Sequence, residues 1–353
     1  MMKVRKTFKL LSLGAAFIAS AWLVMAWRSG MWLSPGTAAV PANSFTQDGF
    51  SSRKRIAHLK VGDVAYVDEG SGPSLVLLHG CPFSAFEWRD VLPALSAGHR
   101  VIVPDLFGLG DTPVTLADDY RLPRDVQMVR ELLDHLGVPR ADFVGHDHGG
   151  ATVQLLMQAA PERIGRVVLS NVEAYDQWPS KPELPYLRAI VNPISSPLMF
   201  HALQFEGVRR EVFSIAVHDP KVLSPAVLTG WTEPHVSSAA RWQRLRRFFR
   251  WQLDPAHQQV TMGAVEGMRR FDRPVLLLWG ARDENFGPAL AERLARDIPG
   301  TQGIHLLEHS AHMPMQEEPQ LYARAALAFF GEGRVEPAAK AALLAARNRV
   351  ALR

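Results

Sequence analysis

The residues Gly145-His146-Asp147-His148-Gly149 carry the most chemical information in this chain. They follow the run Ala141-Asp142-Phe143-Val144 and are followed by Gly150. An acid flanked at two positions either side by glycine, directly after a strand-like run, fits a strand that ends in a sharp turn, opens a helix and exposes a nucleophile. A serine there would need a base and would suit attack on acyl carbon. An aspartate has a reference pKa of about 3.9 and is ionised at neutral pH. It is a weak but ready nucleophile, suited to displacing a leaving group from alkyl carbon and forming an ester.

Further pieces fit this turn. His79-Gly80-Cys81-Pro82 ends an apolar strand, and the N–H of Cys81 together with that of His148 would make an oxyanion hole. Trp279-Gly280-Ala281-Arg282-Asp283 puts an acid after a late strand, and Glu173 is an acid after an earlier one. His309-Ser310-Ala311-His312 follows the last strand. Nucleophile, acid and histidine in that chain order are the parts of a covalent hydrolytic site. His146 and His148 flank the acid, but no H-E-x-x-H or cysteine-rich set accompanies them, so no metal is expected. No cofactor is expected either.

The elements that must hold these residues can be read from the pattern. Val61 to Asp68 alternates loosely as an early hairpin strand. Ser74-Leu75-Val76-Leu77-Leu78, Arg100 to Pro104, Ala141 to Val144, Arg166 to Ser170, Pro274 to Trp279 and Gly303 to Leu307 read as buried strands. Phe86 to Leu95, Arg121 to Leu136, Gly149 to Ala159, Pro288 to Ile298 and Glu318 to Phe330 read as helices, the second with apolar residues at Val126, Val129, Leu132, Leu133 and Leu136. Strands alternating with helices imply a mostly parallel sheet covered on both faces. The rhythm breaks from 172 to about 270 and then returns. The division expected is a targeting segment at 1–33, a linker at 34–52, a core from 53–171 and 272–331, a mainly helical cap at 172–271 inserted between two strands, and a basic, Ala-rich terminal helix at 332–353. Within the cap, Arg241, Arg244, Arg247 and Arg250 recur every third residue and read as a solvated outer stripe.

From about Arg53 to Phe330 the chain resembles an α/β-hydrolase. The His79-Gly80-Cys81-Pro82 and Glu87-Trp88-Arg89 segment, Pro104-Asp105-Leu106-Phe107-Gly108-Leu109-Gly110 and the Asp147 turn carry the likeness. With aspartate as nucleophile it is similar to the haloalkane dehalogenase, epoxide hydrolase and fluoroacetate dehalogenase branch. The resemblance implies a two-step mechanism: Asp147 forms an alkyl ester, and water activated by His312 hydrolyses it. It favours Asp283 as the acid behind His312, with Glu173, where one dehalogenase branch carries its acid, as the alternative. His309 reads as structural. The chain departs from the dehalogenases in having His148 where they carry Trp, and Cys81 where they carry Asn. It lacks the Arg that follows the nucleophile in the fluoroacetate type. Epoxide hydrolases use two cap tyrosines. Here Tyr175 and Tyr186 are available, with Trp178 beside them as a further substrate contact, and a second proton donor is sought among His201, His218 and His235. The expected substrate is a small apolar epoxide or haloalkane. The alternative is a non-catalytic ligand-binding protein on the same fold.

The composition is 47% hydrophobic over 353 residues, with net charge +4 and one cysteine, Cys81, so no intrachain disulfide forms. Lys3, Arg5, Lys6 and Lys9 account for the excess charge, which removes the case for nucleic-acid binding. The same residues lead into the uncharged stretch Leu10 to Trp27, which reads as a membrane anchor or, through Ala19-Ser20-Ala21, as a cleaved signal. Either way, the folded body is expected outside the cytoplasm.

Overall fold

The computed structural model describes residues 17–38 and 50–331. Eight strands form one sheet: β1 (Arg55–Leu59), β2 (Gly62–Glu69), β3 (Ser74–Leu78), β4 (Arg100–Pro104), β5 (Ala141–His146), β6 (Ile164–Val172), β7 (Val275–Gly280) and β8 (Thr301–Leu307). Their order is β1-β2-β4-β3-β5-β6-β7-β8. The β1–β2 and β2–β4 pairs are antiparallel, and every later pair is parallel. The chain is thus α/β, an α/β-hydrolase fold with a mostly parallel sheet. The uninterrupted apolar runs follow from burial on both faces. Leu75 and Leu77 of β3 enter one hydrophobic core while Val76 and Leu78 enter the other.

Residues 17–28 are helical (α1). The core helices are α2 (Leu92–Ser96), α3 (Leu122–His135) and α4 (Asp147–Ala159). Seven helices lie between β6 and β7: α5 (Leu184–Val191), α6 (Ser196–Ala202), α7 (Glu206–Phe213), α8 (Pro225–Val236), α9 (Ala239–Gln252), α10 (Pro255–Gly263) and α11 (Val265–Arg270). They form the inserted, helical cap. Then α12 (Pro288–Asp297), α13 (Pro314–Glu317) and α14 (Pro319–Phe330) complete the described chain. The amphipathic face of α3 buries Val126, Val129, Leu132 and Leu133, as its spacing requires.

Several expectations are corrected. The single helix expected over Phe86 to Leu95 is a short 3₁₀ turn, Ala85–Trp88, followed by α2. Pro93 lies in the first turn of α2, where its missing N–H is harmless; inside one long helix it would break the ladder. The arginine stripe of α9 is not a solvated face: Arg241 and Arg244 are buried while Arg247 and Arg250 are exposed. At 3.6 residues per turn, a three-residue step falls about 60° short of a full turn, so four such positions walk halfway round the helix. Arg241 pairs with Asp111 at 3.0 Å, and Arg244 donates to Pro234 O at 2.6 Å.

The membrane anchor is also corrected. Among the described residues, no helix is long and apolar enough to cross a membrane. Instead α1 and the turn after it rest on the cap, where Trp22 Nε1 donates to Ile194 O at 2.9 Å and Gln243 Nε2 to Ser29 O at 2.8 Å. The placement of the body outside the cytoplasm, whether anchored or exported, loses its basis with that span. Residues 10–16 of the expected span, residues 39–49 of the expected linker and the expected helix at 332–353 lie outside the described residues.

Candidate active site

The chain turns from β5 into α4 at Asp147, whose φ of 49° is in the left-handed region. That conformation costs an L-residue about 1–2 kcal/mol, so close packing must enforce it. Gly149 allows the approach: a Cβ there would lie 2.2 Å from Leu78 O and 2.6 Å from His79 O. At Gly80 a Cβ would lie 2.7 Å from Asp147 Cβ. The two glycines let the end of β3 and the turn press together, which aims the aspartate at the Cys81 backbone.

Asp147 Oδ1 accepts the Cys81 N–H at 2.8 Å. Asp147 Oδ2 has no hydrogen bond and stands 3.6 Å from His312 Nε2. The His148 N–H lies in the first turn of α4, where a helix offers no acceptor of its own. On the far side of the ring, His312 Nδ1 donates to Asp283 Oδ2 at 3.0 Å. Asn171, itself at φ 43°, donates to the same oxygen at 2.7 Å. The Asn285 N–H donates to Asp283 Oδ1 at 2.8 Å. Burial alone would lift the Asp283 carboxyl, but the charge and hydrogen bond of His312, aided by Asn171 and Asn285, hold it below the usual range. Burial alone would lower His312, but Asp283 first, then Asp147 and Glu183, push it up to about 10. His146, the residue before Asp147, has other partners. Its Nε2 donates to His312 O at 2.8 Å, and its Nδ1 stands 3.1 Å from Glu87 Oε1.

Glu173 occupies a different network. Glu173 Oε2 lies 3.1 Å from His148 Nδ1, and its other oxygen meets His257 Nε2. The remaining His148 nitrogen stands 3.7 Å from Asp125 Oδ2. Against the pull of burial, the neighbouring carboxyl groups of Asp125 and Glu173 raise His148 to about 10. Against the same pull, the charge of His257 and its own bonds lower Glu173 to about 2. His148 thus sits between two buried carboxyl groups and bonds to one of them, Glu173. His148, Glu173 and His257 bring donor atoms within 4.8 Å of one another, close enough to hold a metal ion.

Above Cys81 and His312 lies a small cavity, of the concave, mostly apolar kind that takes small molecules. Its wall is mostly apolar, including Phe83, Phe213, Trp231, Leu245 and Phe249; Glu183, Tyr186 and His235 are among its polar members. Of the side chains expected to touch substrate, Tyr186 lines it. Tyr175 and Trp178 do not: the Tyr175 hydroxyl donates to Asp297 at 2.8 Å, and Trp178 packs on Phe286 with ring centroids 6.2 Å apart. His201 and His218 are absent from the wall, and His309 is exposed. His235 is bonded to Pro82 O, and burial lowers it to about 3, so it is neutral.

Two residues at this site went unread in the sequence. Asn171, next to a strand end, carried a weak signal as an asparagine able to take a left-handed turn. Glu183, between Pro182 and Leu184, carried none. Burial in the cavity wall, added to the charge of Asp147, raises its carboxyl to about 8 although His312 opposes the shift.

A sequence profile of the α/β-hydrolase fold matches residues 73–319. Haloalkane dehalogenase 2 of Mycobacterium tuberculosis (strain H37Rv) is 28% identical over 274 residues, covering 76% of this chain and 92% of its own. The soluble epoxide hydrolase of Corynebacterium sp. (strain C12) is 51% identical over 88 residues, covering 24% of this chain and 30% of its own. Among solved structures, an α/β-hydrolase fold protein from Burkholderia ambifaria superposes with a TM-score of 0.62 at 26% identity, covering 77% of this chain and 96% of that one.

Proposed function

The chain belongs to the α/β-hydrolase family, and on that premise we propose that it works through a covalent alkyl ester at Asp147, on a small, largely apolar epoxide or haloalkane. The observation that carries this reading is the asymmetry of the Asp147 carboxylate. One oxygen is fixed by the Cys81 N–H, while the other is unbonded and faces His312. The free oxygen attacks alkyl carbon in line, and the leaving group departs with the electron pair of the broken bond. An ordinary esterase reading is disfavoured because carboxylate attack on an ester would make a high-energy anhydride, and the chain has no G-x-S-x-G.

The second step follows from the charges. Forming the ester removes the negative charge on Asp147 that helps hold His312 protonated. The histidine then loses its extra proton and becomes a base. It takes a proton from water, and the hydroxide attacks the ester carbonyl carbon. The oxyanion that develops at Oδ1 is met by the N–H of Cys81 and the N–H of His148. Asp283 keeps the Nδ1–H tautomer and supports the imidazolium as it forms again.

The test is a single turnover in oxygen-18 water with matched epoxides and haloalkanes. The first-turnover product should carry unlabelled oxygen from Asp147, and label should enter the Asp147 carboxylate as turnovers accumulate. Labelled product in the first turnover would overturn the covalent route. A binding protein on the same fold predicts instead that Asp147→Asn leaves ligand affinity and biological effect intact.

A further inference from the structure

We propose that Glu183 is the acid that protonates the departing oxygen as Asp147 attacks, which makes an epoxide, and not a haloalkane, the substrate that this cavity is built to open. The proposal rests on Asp147 being the nucleophile and adds a group that the sequence did not single out.

Three observations carry it. The first is position. Glu183 lines the same cavity wall as Cys81, whose N–H holds the nucleophile, and His312. Among the described residues it is the acidic side chain of that wall, and no lysine or arginine lines it. A half-buried carboxyl facing an apolar cavity is disfavoured as an anion when its one cationic neighbour, His312, is shared with Asp147 and Asp283.

The second is hydrogen bonding. Ser180 Oγ lies 2.7 Å from Glu183 Oε2 and 3.1 Å from Asn285 Oδ1, and Asn285 Nδ2 lies 3.4 Å from Glu183 Oε1. Ser180 donates to Oε2 and Asn285 donates to Oε1, so the ring fixes where the carboxyl sits in the wall. Its protonation is set first by burial: His312 and the Ser180 hydrogen bond favour the ionised form, Asp147 and Asp283 oppose it, and the carboxyl sits at about 8.

The third is what the cavity withholds. Halide departure needs N–H donors at the leaving group. The His148 ring bonds Glu173 through Nδ1, holds Nε2 3.7 Å from Asp125 and does not line the cavity. The indole N–H of Trp231, a wall residue, is sealed from the open space. His235 is neutral and engaged with Pro82 O. An alkoxide leaving group needs a proton far more than a halide does, and Glu183 with Tyr186 offers O–H groups to it.

The cycle balances. Asp147 Oδ2 bonds to the epoxide carbon, the C–O bond breaks, and the electron pair stays on the oxygen, which takes the Glu183 proton. The proton that leaves His312 once Asp147 is esterified restores Glu183. His312 then takes one proton from water. The hydroxide attacks the ester, the acyl C–O bond breaks, and the second alkoxide takes that proton back. The remaining proton on the Asp147 carboxyl returns to His312. The sum is epoxide plus water to diol.

The experiment measures Asp147 ester formation by intact mass in the His312→Gln background, with a terminal alkyl epoxide and the 1-bromoalkane of equal chain length. Adding Glu183→Gln should slow alkylation by the epoxide at least about 100-fold, in the range of general-acid catalysis. It should also erase the alkaline fall in the alkylation rate, and Glu183→Asp should restore part of both. Alkylation by the bromoalkane, whose leaving group needs no proton, should fall far less than alkylation by the epoxide. Epoxide alkylation at the parent rate in the folded Glu183→Gln variant, confirmed by circular dichroism, overturns the proposal. So does a parent that takes the bromoalkane and refuses the epoxide. Absence of any Asp147 adduct from either compound is a different outcome: it overturns the nucleophile reading itself and this proposal with it.

Discussion

Exchanging Asp283 for Asn separates the two acids that sequence left in competition. Asp283 is saturated by donors: Oδ2 accepts from His312 and Asn171, and Oδ1 from the Asn285 N–H. An amide supplies one oxygen and one NH₂. Whichever way it is turned, an NH₂ meets a donor that the carboxylate accepted, either the Asn285 N–H or the His312 and Asn171 pair. Leaving one buried donor unpaired costs about 1–3 kcal/mol, read as a lower denaturant midpoint at unchanged slope. The kinetic effect is larger and confined to the second step. The imidazolium that forms as His312 takes the proton of water loses its counter-charge, and the Nδ1–H tautomer loses its anchor. In a serine triad, the equivalent change lowers turnover by about 10⁴, or about 5 kcal/mol of barrier. Ester formation does not need His312 as a base, so it should stay within about tenfold. The assay is rapid quench with intact mass: Asp283→Asn should accumulate the alkyl-enzyme, and the parent should not. Glu173→Gln should lose stability, because Glu173 accepts from His148 and His257, but should hydrolyse the ester within about tenfold of the parent. The opposite pattern, a trapped ester in Glu173→Gln and normal turnover in Asp283→Asn, would refute the reasoning.

Three further perturbations follow from the same geometry. Gly149→Ala would drive a Cβ to 2.2 Å from Leu78 O, a backbone atom that cannot step aside; a loss of about 3 kcal/mol is expected, and a denaturation midpoint equal to the parent's would contradict the packing argument for the turn. The Glu183 carboxyl is raised to about 8 from an ordinary 4.5. The unfolded chain releases that proton first, so the stability it contributes is complete below about pH 4.5 and is lost as pH rises through about 8; Glu183→Gln should therefore raise the Tm relative to the parent at pH 9 more than at pH 4, and an equal offset at both would count against a neutral carboxyl. Lys54 is buried at 2.7 Å from both Asp105 and Asp111; Lys54→Met strips a cation from two buried carboxylates, and urea titration should show a loss of about 3–5 kcal/mol, with a loss below 1 kcal/mol refuting it.

The sequence by itself determined the sheet, the turn and the candidates for chemistry. Apolar runs such as Leu75 to Leu78 announce strands buried on both faces because alternate side chains feed two cores. Glycines around Asp147 announce a turn too crowded for any Cβ. Such signals are local: they depend on residue spacing along a few turns or strands of chain. The cap was legible as an interruption, but its seven helices were not, since proline, tryptophan and arginine there follow packing against the core and not a clean period. The same is true of Arg241 and Arg244, which read as surface and are buried. Tertiary structure alone decided which acid faces which histidine. Asp283 and Glu173 each follow a strand, and no spacing rule says that one meets His312 while the other meets His148 and His257. It also turned Tyr175 and Trp178 away from the cavity and brought Glu183 into its wall. Those outcomes depend on contacts between residues 25 to 122 positions apart, such as His148 with Glu173 and Tyr175 with Asp297. Burial and neighbouring charge, which set how an acid behaves, exist once the chain has closed around it.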